Sequence, residues 1–326
     1  PCVGTGQDGA NMGAYGIGCE FIEYSGPNWY VSNSGSDDND GSEENPLATI
    51  QAGISTASIN DTVIVLPGVY SGTNTIGFNV TVLSSAGPDS TIINCNGYAF
   101  TITEQQPKIS GFRFTGSNNY GIMINGDGNT SPNPKIWNNQ FIYCNANQSN
   151  DYALITGFND VSFSIKNCLF YGNGQRFIIG TQGTGLIENC TFYENYNSDN
   201  SDCGLFETSG GNTVVRNSII RNNQSNDLSG NYTIEYSNLD FTNYSGEGNI
   251  DAEPLFCNIS NNDFTLYDNS PCIGAGENGT TIGAYEIGCD ANSVWVSVNG
   301  NDLTGDGSQS SPYRYIGTAV SNATAG

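Results

Sequence analysis

Short apolar runs alternate with polar, turn-forming stretches along this chain, and one six-residue pattern recurs through its middle. The copies are Ile109-Ser-Gly-Phe-Arg-Phe114, Ile136-Trp-Asn-Asn-Gln-Phe141, Ile165-Lys-Asn-Cys-Leu-Phe170, Ile187-Glu-Asn-Cys-Thr-Phe192, Val215-Arg-Asn-Ser-Ile-Ile220 and Ile234-Glu-Tyr-Ser-Asn-Leu239. Their starts lie 27, 29, 22, 28 and 19 residues apart. A fixed pattern at such variable spacing predicts one supersecondary turn per copy, with loops absorbing the length differences. The β-branched and aromatic content of each copy favours strand, and the Gly, Asn, Asp and Ser between copies supply turns. A second apolar run follows in most copies (120–124, 152–155, 176–179, 204–206). Two or three strands per turn of about 25 residues predict an all-β fold, a right-handed parallel β-helix of about eight coils stacked ~4.8 Å apart.

Stacking turns equivalent positions into columns. Position one (Ile109, Ile136, Ile165, Ile187, Val215, Ile234) and position six (Phe114, Phe141, Phe170, Phe192, Ile220, Leu239) are apolar throughout and are expected to face inward. Position three carries Asn138, Asn167, Asn189 and Asn217, a ladder whose amides can bond rung to rung at a bend. Position two carries Lys166, Glu188, Arg216 and Glu235, alternating in sign on successive coils. Each such pair contributes a few tenths of a kcal/mol at an exposed surface.

Leu47, Ile50, Ile54 and Ala57 share one helical face after Pro46, so a short capping α-helix over about 47–58 is expected to cover the open end of the coil. The coils are expected over about 60–266. Two larger motifs recur. Pro1-Cys-Val-Gly-Thr-Gly with Met12-Gly-Ala-Tyr-Gly-Ile-Gly-Cys19 returns as Pro271-Cys-Ile-Gly-Ala-Gly with Ile282-Gly-Ala-Tyr-Glu-Ile-Gly-Cys289. Val31-Ser-Asn-Ser-Gly-Ser-Asp37 through Asp40-Gly-Ser42 returns as Val296-Ser-Val-Asn-Gly-Asn-Asp302 through Asp306-Gly-Ser308. The chain therefore reads as the closing segment of one unit (1–19), one complete unit (20–289, itself closing over 267–289) and the opening of the next (290–326).

The opening segment (Val31 to Ile50, then Asp61-Thr-Val-Ile-Val-Leu-Pro-Gly-Val-Tyr70) and the closing Ser270-Pro-Cys-Ile-Gly-Ala-Gly with Ile282-Gly-Ala-Tyr-Glu286 are similar to those of secreted right-handed β-helix repeat proteins. The resemblance spans nearly the whole chain and implies fold and secretion. That family includes lyases, hydrolases, adhesins and structural surface proteins, so no activity carries over.

Charge narrows the partners. Of 326 residues only 12% are charged, yet the net charge is −24, because Lys and Arg number eight. Such a surface repels nucleic acid and anionic membranes, and no apolar run approaches the length of a membrane span. Ten cysteines point to an oxidising, extracellular or cell-surface setting. There is no histidine, which removes His-based nucleophilic arrangements and leaves carboxylate pairs or a calcium-assisted Arg or Lys base. No basic residue sits in an evident carboxylate cluster, and the expectation is a chain without enzymatic activity.

The remaining site expectations are structural. The acidic run Asp37-Asp-Asn-Asp-Gly-Ser42 offers Asp38 and Asp40 as ligands for a structural calcium, the one cofactor considered, although a solvated turn fits the same residues. Cys168 and Cys190 fall in one column of adjacent coils and are expected to form a disulfide. At the ends, Cys272–Cys289, mirrored by Cys2–Cys19, is favoured over Cys257–Cys272. Sequons at Asn147, Asn223, Asn231, Asn243, Asn258 and Asn278 are candidate glycan sites. Together these features suggest a tandem, disulfide-held unit of an extracellular fibre, associating end to end with its neighbours. The alternatives are a carbohydrate-binding or adhesive module, for which Trp137 and Tyr143 are the only aromatic hints, and, ranked after it, a polysaccharide lyase or hydrolase.

Overall fold

The computed structural model describes residues 24–322, apart from 96, 118, 127–131, 146–152, 175–176, 197–204, 225–227, 242–245, 291–293 and 309. The described chain winds as a right-handed parallel β-helix with three faces. The first face runs through Asn28–Val31, Thr62–Val65, Thr81–Ser84, Lys108–Ser110, Lys135–Trp137 and Phe163–Lys166. It continues through the second halves of Ile179–Glu188, Phe206–Arg216 and Leu228–Glu235. The second face is an eight-stranded sheet from Gly68–Ser71 to Asn238–Leu239. The third contains Asn74–Ile76, Gly97–Ile102, Asn119–Asn125 and Ile155–Phe158, and joins the first through the three long strands. The described residues of the second apolar runs lie on this third face.

The six-residue pattern holds in register. Ile109, Ile136 and Ile165 are paired in turn, as are Ile187, Val215 and Ile234. All six are fully or nearly fully buried. Position six forms a column of rings, with Phe114, Phe141, Phe170 and Phe192 stacked at 4.5, 4.8 and 4.5 Å and nearly parallel. In-register parallel strands impose this offset stacking, which adds dispersion to the burial of each ring.

Two columns of left-handed backbone make the corners. Position three (Gly111, Asn138, Asn167, Asn189, Asn217, Tyr236) has φ between 49° and 85° in all six copies. Position eight (Tyr143, Gly172, Glu194, Asn222) repeats the device at the next corner, with φ of 51–60°. Asn tolerates this region better than other residues with a Cβ, which explains its recurrence at position three.

The residues just past each corner point back into the core and must satisfy themselves there. At position nine, Asn173, Asn195 and Asn223 form a buried ladder. Their Nδ2 groups donate to the Phe141, Phe170 and Phe192 carbonyls at 2.9, 2.9 and 3.1 Å. Their Oδ1 atoms accept the backbone N–H groups of Cys144, Asn173 and Asn195. The corner thus uses side-chain amides where a sheet would use backbone pairing.

The helix Ile50–Thr56 caps the first coil. It is shorter than expected because Leu47 forms a parallel bridge with Val31 and Thr49 serves as N-cap, its Oγ1 accepting from Ala52 N. Ile50 and Ile54 are buried, and Gly53 lies so close to Val63 and Val31 that a Cβ would meet their methyls at 2.8–2.9 Å.

Beyond Leu239 the chain departs from expectation. The coil strands end there, with one further parallel bridge from Asn238 to Ile250, and do not continue to 266. Phe256–Asn258, Asp263–Tyr267 and Ile287–Cys289 form a separate three-stranded sheet. This closing segment straps the outside of the second face. Its Phe256, Phe264, Leu266, Cys272 and Ile282 pack on Ile142, Leu169, Tyr171, Tyr193 and Ile219 in a second apolar cluster. Position five supplies part of that outer face, so its Leu169 and Ile219 are apolar because the strap covers them.

Candidate functional site

The chain has three lysines, Lys108, Lys135 and Lys166, and all lie on the outer surface of the first face. Lys108 and Lys135 are direct register partners on adjacent coils, and Trp137 pairs with Lys166 on the next. The three ammonium groups gather over the Trp137 ring, with Nζ at 4.9, 5.6 and 5.9 Å from a ring centroid. Trp137 is held in place by its indole N–H, which donates to Ser164 Oγ at 3.2 Å. Cation–π attraction to one ring offsets part of the repulsion between stacked like charges.

The three differ in what balances them. Lys166 is paired with Glu188, which also receives Arg216 Nε at 2.6 Å. Burial alone would raise the Glu188 carboxyl, but these two cations together hold it below the usual carboxylate range. Arg216 extends the network to Glu277 of the strap at 3.1 Å. The alternating column at position two is therefore real, and it anchors the strap as well as the register. Lys108 and Lys135 have no acidic partner among the described residues. They border an open groove of about 290 Å³ whose other walls include Asn60, Asn79 and Gln106.

The corner asparagines divide their work. Asn167 Nδ2 donates to Asn138 Oδ1 at 3.0 Å, the expected rung-to-rung bond. On the next two coils the amides face the strap: Asn189 donates to the Thr281 carbonyl, and Asn217 Oδ1 accepts Glu277 N–H at 2.7 Å. Asn189 is thus half-exposed at a corner.

The expected disulfides are corrected. Among the described residues the bridge present joins Cys257 to Cys289. Cys272 is a buried thiol of the strap, facing the second face, that accepts from Asn238 Nδ2, so it pairs with neither Cys289 nor Cys257. Cys168 and Cys190 are also free, their Sγ atoms donating to the Lys166 and Glu188 carbonyls at 3.3 Å each. Parallel neighbours in register point the same way with Cβ atoms about one coil spacing apart, whereas a disulfide needs about 3.8 Å. Burial pushes the Cys95 thiol to about 12, and the fully buried Cys144 and Cys190 thiols well up too, so these are inert core groups. Cys2 and Cys19 lie outside the described residues.

The acidic run folds as a turn held by its own carboxylates. Asp37 Oδ1 accepts Ala48 and Thr49 N–H, and Asp40 Oδ1 accepts Ser42 N–H and Oγ–H, which lowers the Asp40 carboxyl. Among the described residues no group of three or more Asp, Glu, Cys or His side chains converges, so Asp38 and Asp40 are not brought into a calcium cage.

Of the sequons, Asn278 is exposed and Asn258 half-exposed. Asn231 is exposed but lies in the strand Leu228–Glu235 and not in a loop. Asn223 is a buried rung of the position-nine ladder, its amide engaged on both sides, and cannot carry a glycan in the folded coil. Asn147 and Asn243 lie outside the described residues. Trp137 and Tyr143 do not form one aromatic row, since Trp137 sits on the first face and Tyr143 at the position-eight corner, 48% exposed. The unpaired lysine pair and the position-nine ladder escaped the sequence reading. The first was visible as Lys108 and Lys135, each directly before a position-one isoleucine. The second was visible as an Asn three residues after each of Phe170, Phe192 and Ile220.

No family model and no curated protein matches the chain. Among solved structures, a rhamnogalacturonan lyase is 12% identical with a TM-score of 0.42, the similarity covering 65% of this chain and 68% of that one. A pectate lyase is 16% identical with a TM-score of 0.29, covering 80% of this chain and 96% of that one. Because these structures are lyases, the expectation of a chain without enzymatic activity is withdrawn. No helix among the described residues is long and apolar enough to cross a membrane.

Proposed function

We propose that this chain is a unit of a tandem β-helix array that serves as an extracellular or cell-surface structural element. The observation that carries the reading is a second opening segment that folds like the first but leaves its core face bare. Val296 bridges to Tyr313 as Val31 bridges to Leu47. Asp302 Oδ1 accepts Arg314 and Tyr315 N–H as Asp37 accepts Ala48 and Thr49. Asp306 caps Ser308 as Asp40 caps Ser42, and the helix Ile316–Asn322 follows in the place of Ile50–Thr56.

Burial separates the two copies. Ile50 and Ile54 are 4% and 1% exposed, while their counterparts Ile316 and Val320 are 72% and 69% exposed. Apolar surface of this kind is stabilised when a further coil covers it, as Val31 and Val63 lie against Gly53 of the first helix. A following β-helix is the partner of matching shape.

The test is the native material. Intact-mass analysis should give a polypeptide well beyond these 326 residues, and negative-stain images should show rods with a repeat of roughly eight coil spacings, on the order of 40 Å per unit. A native chain no longer than this one, seen as single short particles, would end the proposal.

A further inference from the structure

We infer that Tyr143 and Tyr171 are a site of oxidative modification, at which a carbon–carbon bond between their rings staples adjacent coils together. The two rings lie 5.2 Å apart, tilted by 54°. Register places them side by side, since Ile142 pairs with Tyr171 and Tyr143 follows at the corner. Tyr143 leans over the coil of Tyr171, so close to Gly172 that a Cβ there would meet its Cε1 and Cδ1 at 2.6 and 2.8 Å. Cε1 is one of the two carbons ortho to the hydroxyl, the positions at which phenoxyl radicals couple. Phe264 of the strap packs edge-on against the Tyr171 ring at 4.8 Å and limits its rotation.

Three observations single out this pair. Tyr143 is 48% exposed and Tyr171 only 7%, so one ring meets a diffusing oxidant and the other is reached through it. Neither phenol hydroxyl has a hydrogen-bond partner outside the pair among the described residues. By contrast, Tyr193 accepts from Asn222, Tyr196 donates to Asn145 and Tyr285 accepts from Gln140. Tyr143 also holds a left-handed backbone with φ of 53°, a costly conformation for an aromatic residue, at a corner where Gly172 and Asn222 adopt it readily. The bend alone gives no reason for a tyrosine there.

The oxidant is hydrogen peroxide acting through a haem peroxidase, a chemistry suited to the oxidising compartment that the Cys257–Cys289 bridge fits. One electron and one proton leave Tyr143, giving its phenoxyl radical. That radical takes a hydrogen atom from the Tyr171 hydroxyl, and Tyr143 is then oxidised a second time. Transfer as a whole hydrogen atom suits Tyr171, because burial, and after it the Tyr143 phenol, push its hydroxyl up and keep it protonated. The ortho carbons of the two radicals join, their hydrogens move to the oxygens, and both phenols are restored. Overall, two hydrogen atoms leave the protein and one peroxide becomes two waters. The site lies within one unit, so it does not rest on the tandem reading.

The test treats the purified chain, kept dilute, with a haem peroxidase and hydrogen peroxide. Blue biphenol fluorescence should appear in protein that still runs as a monomer in denaturing gels. Mass spectrometry of its proteolytic fragments should find those of Tyr143 and Tyr171 linked, lighter than their sum by two hydrogen atoms. Tyr143→Phe and Tyr171→Phe should each reduce the monomer's fluorescence to that of untreated chain, while Tyr196→Phe leaves it unchanged. Circular dichroism verifies that each variant is folded, which is expected because each keeps its ring. Fluorescence confined to oligomers, its persistence in Tyr143→Phe monomers, a linkage mapped to other tyrosines, or a folded parent that stays dark would each overturn the assignment.

Discussion

Glu188 and Asn195 show two ways in which a single side chain holds stacked coils together. Glu188 joins Lys166, one coil below, to Arg216, one coil above. Its carboxyl is held below the ordinary range, so its contribution is fully present above the unfolded pKa of about 4.3 and is lost as pH falls through the lower folded value. Glu188→Gln should therefore lower thermal stability near neutral pH by about 1 kcal/mol, roughly 2–4 °C. The gap from the parent, followed by melting as a function of pH, should close in acid. Asn195 is fully engaged inside the bore, accepting from Asn173 and donating to Phe170 O and to Asn223 Oδ1. Asn195→Ala removes three partners at once from buried groups, and a loss of about 2–4 kcal/mol in denaturant midpoint measurements is expected, larger than that of Glu188→Gln.

Among the elements, the strap depends on its own disulfide as well as on packing. Cys257 and Cys289 are 32 residues apart, a loop whose closure stabilises by about 3–4 kcal/mol on chain-entropy grounds. The double substitution Cys257→Ser with Cys289→Ser should raise hydrogen exchange in Asp263–Tyr267 while the position-one strands stay protected. Equal loss of protection in both would mean that strap and coil unfold as one unit. The coil elements were legible in the sequence because columns one and six repeat the same apolar choice on all six copies. The corner was legible as Asn138 through Asn217, since few other residues accept that backbone. The strap's position was not, because Leu169 and Ile219 read equally well as core residues until a partner is known to cover them. The Cys168–Cys190 expectation failed for a related reason: adjacency in a column sets the Cβ atoms one coil spacing apart and pointing the same way, which is farther than a bridge allows.

At the scale of the whole molecule, apolar surface is covered in a fixed order, by helix at the start, by the next coil within, and by the strap on one flank. The second opening segment breaks that order, with Ile316 and Val320 bare. Fusing a further copy of residues 57–289 in frame after the helix Ile316–Asn322 should therefore bury this surface. The measurement is the thermal midpoint of the opening segment, followed by exchange at Ile316–Asn322, which should rise by several degrees relative to the present chain. No change would indicate that the two bodies fold side by side without sharing an interface.

The corner asparagines have a practical corollary. Copies begin 19 to 29 residues apart, yet in the copies starting at Ile165, Ile187 and Val215 the stretch from position one to the position-nine asparagine keeps one length, so foreign peptides could be spliced in after position nine without altering either bend. Such inserts would project from one flank at intervals of ~4.8 Å, a ruler on which epitopes or enzymes could be displayed in chosen order.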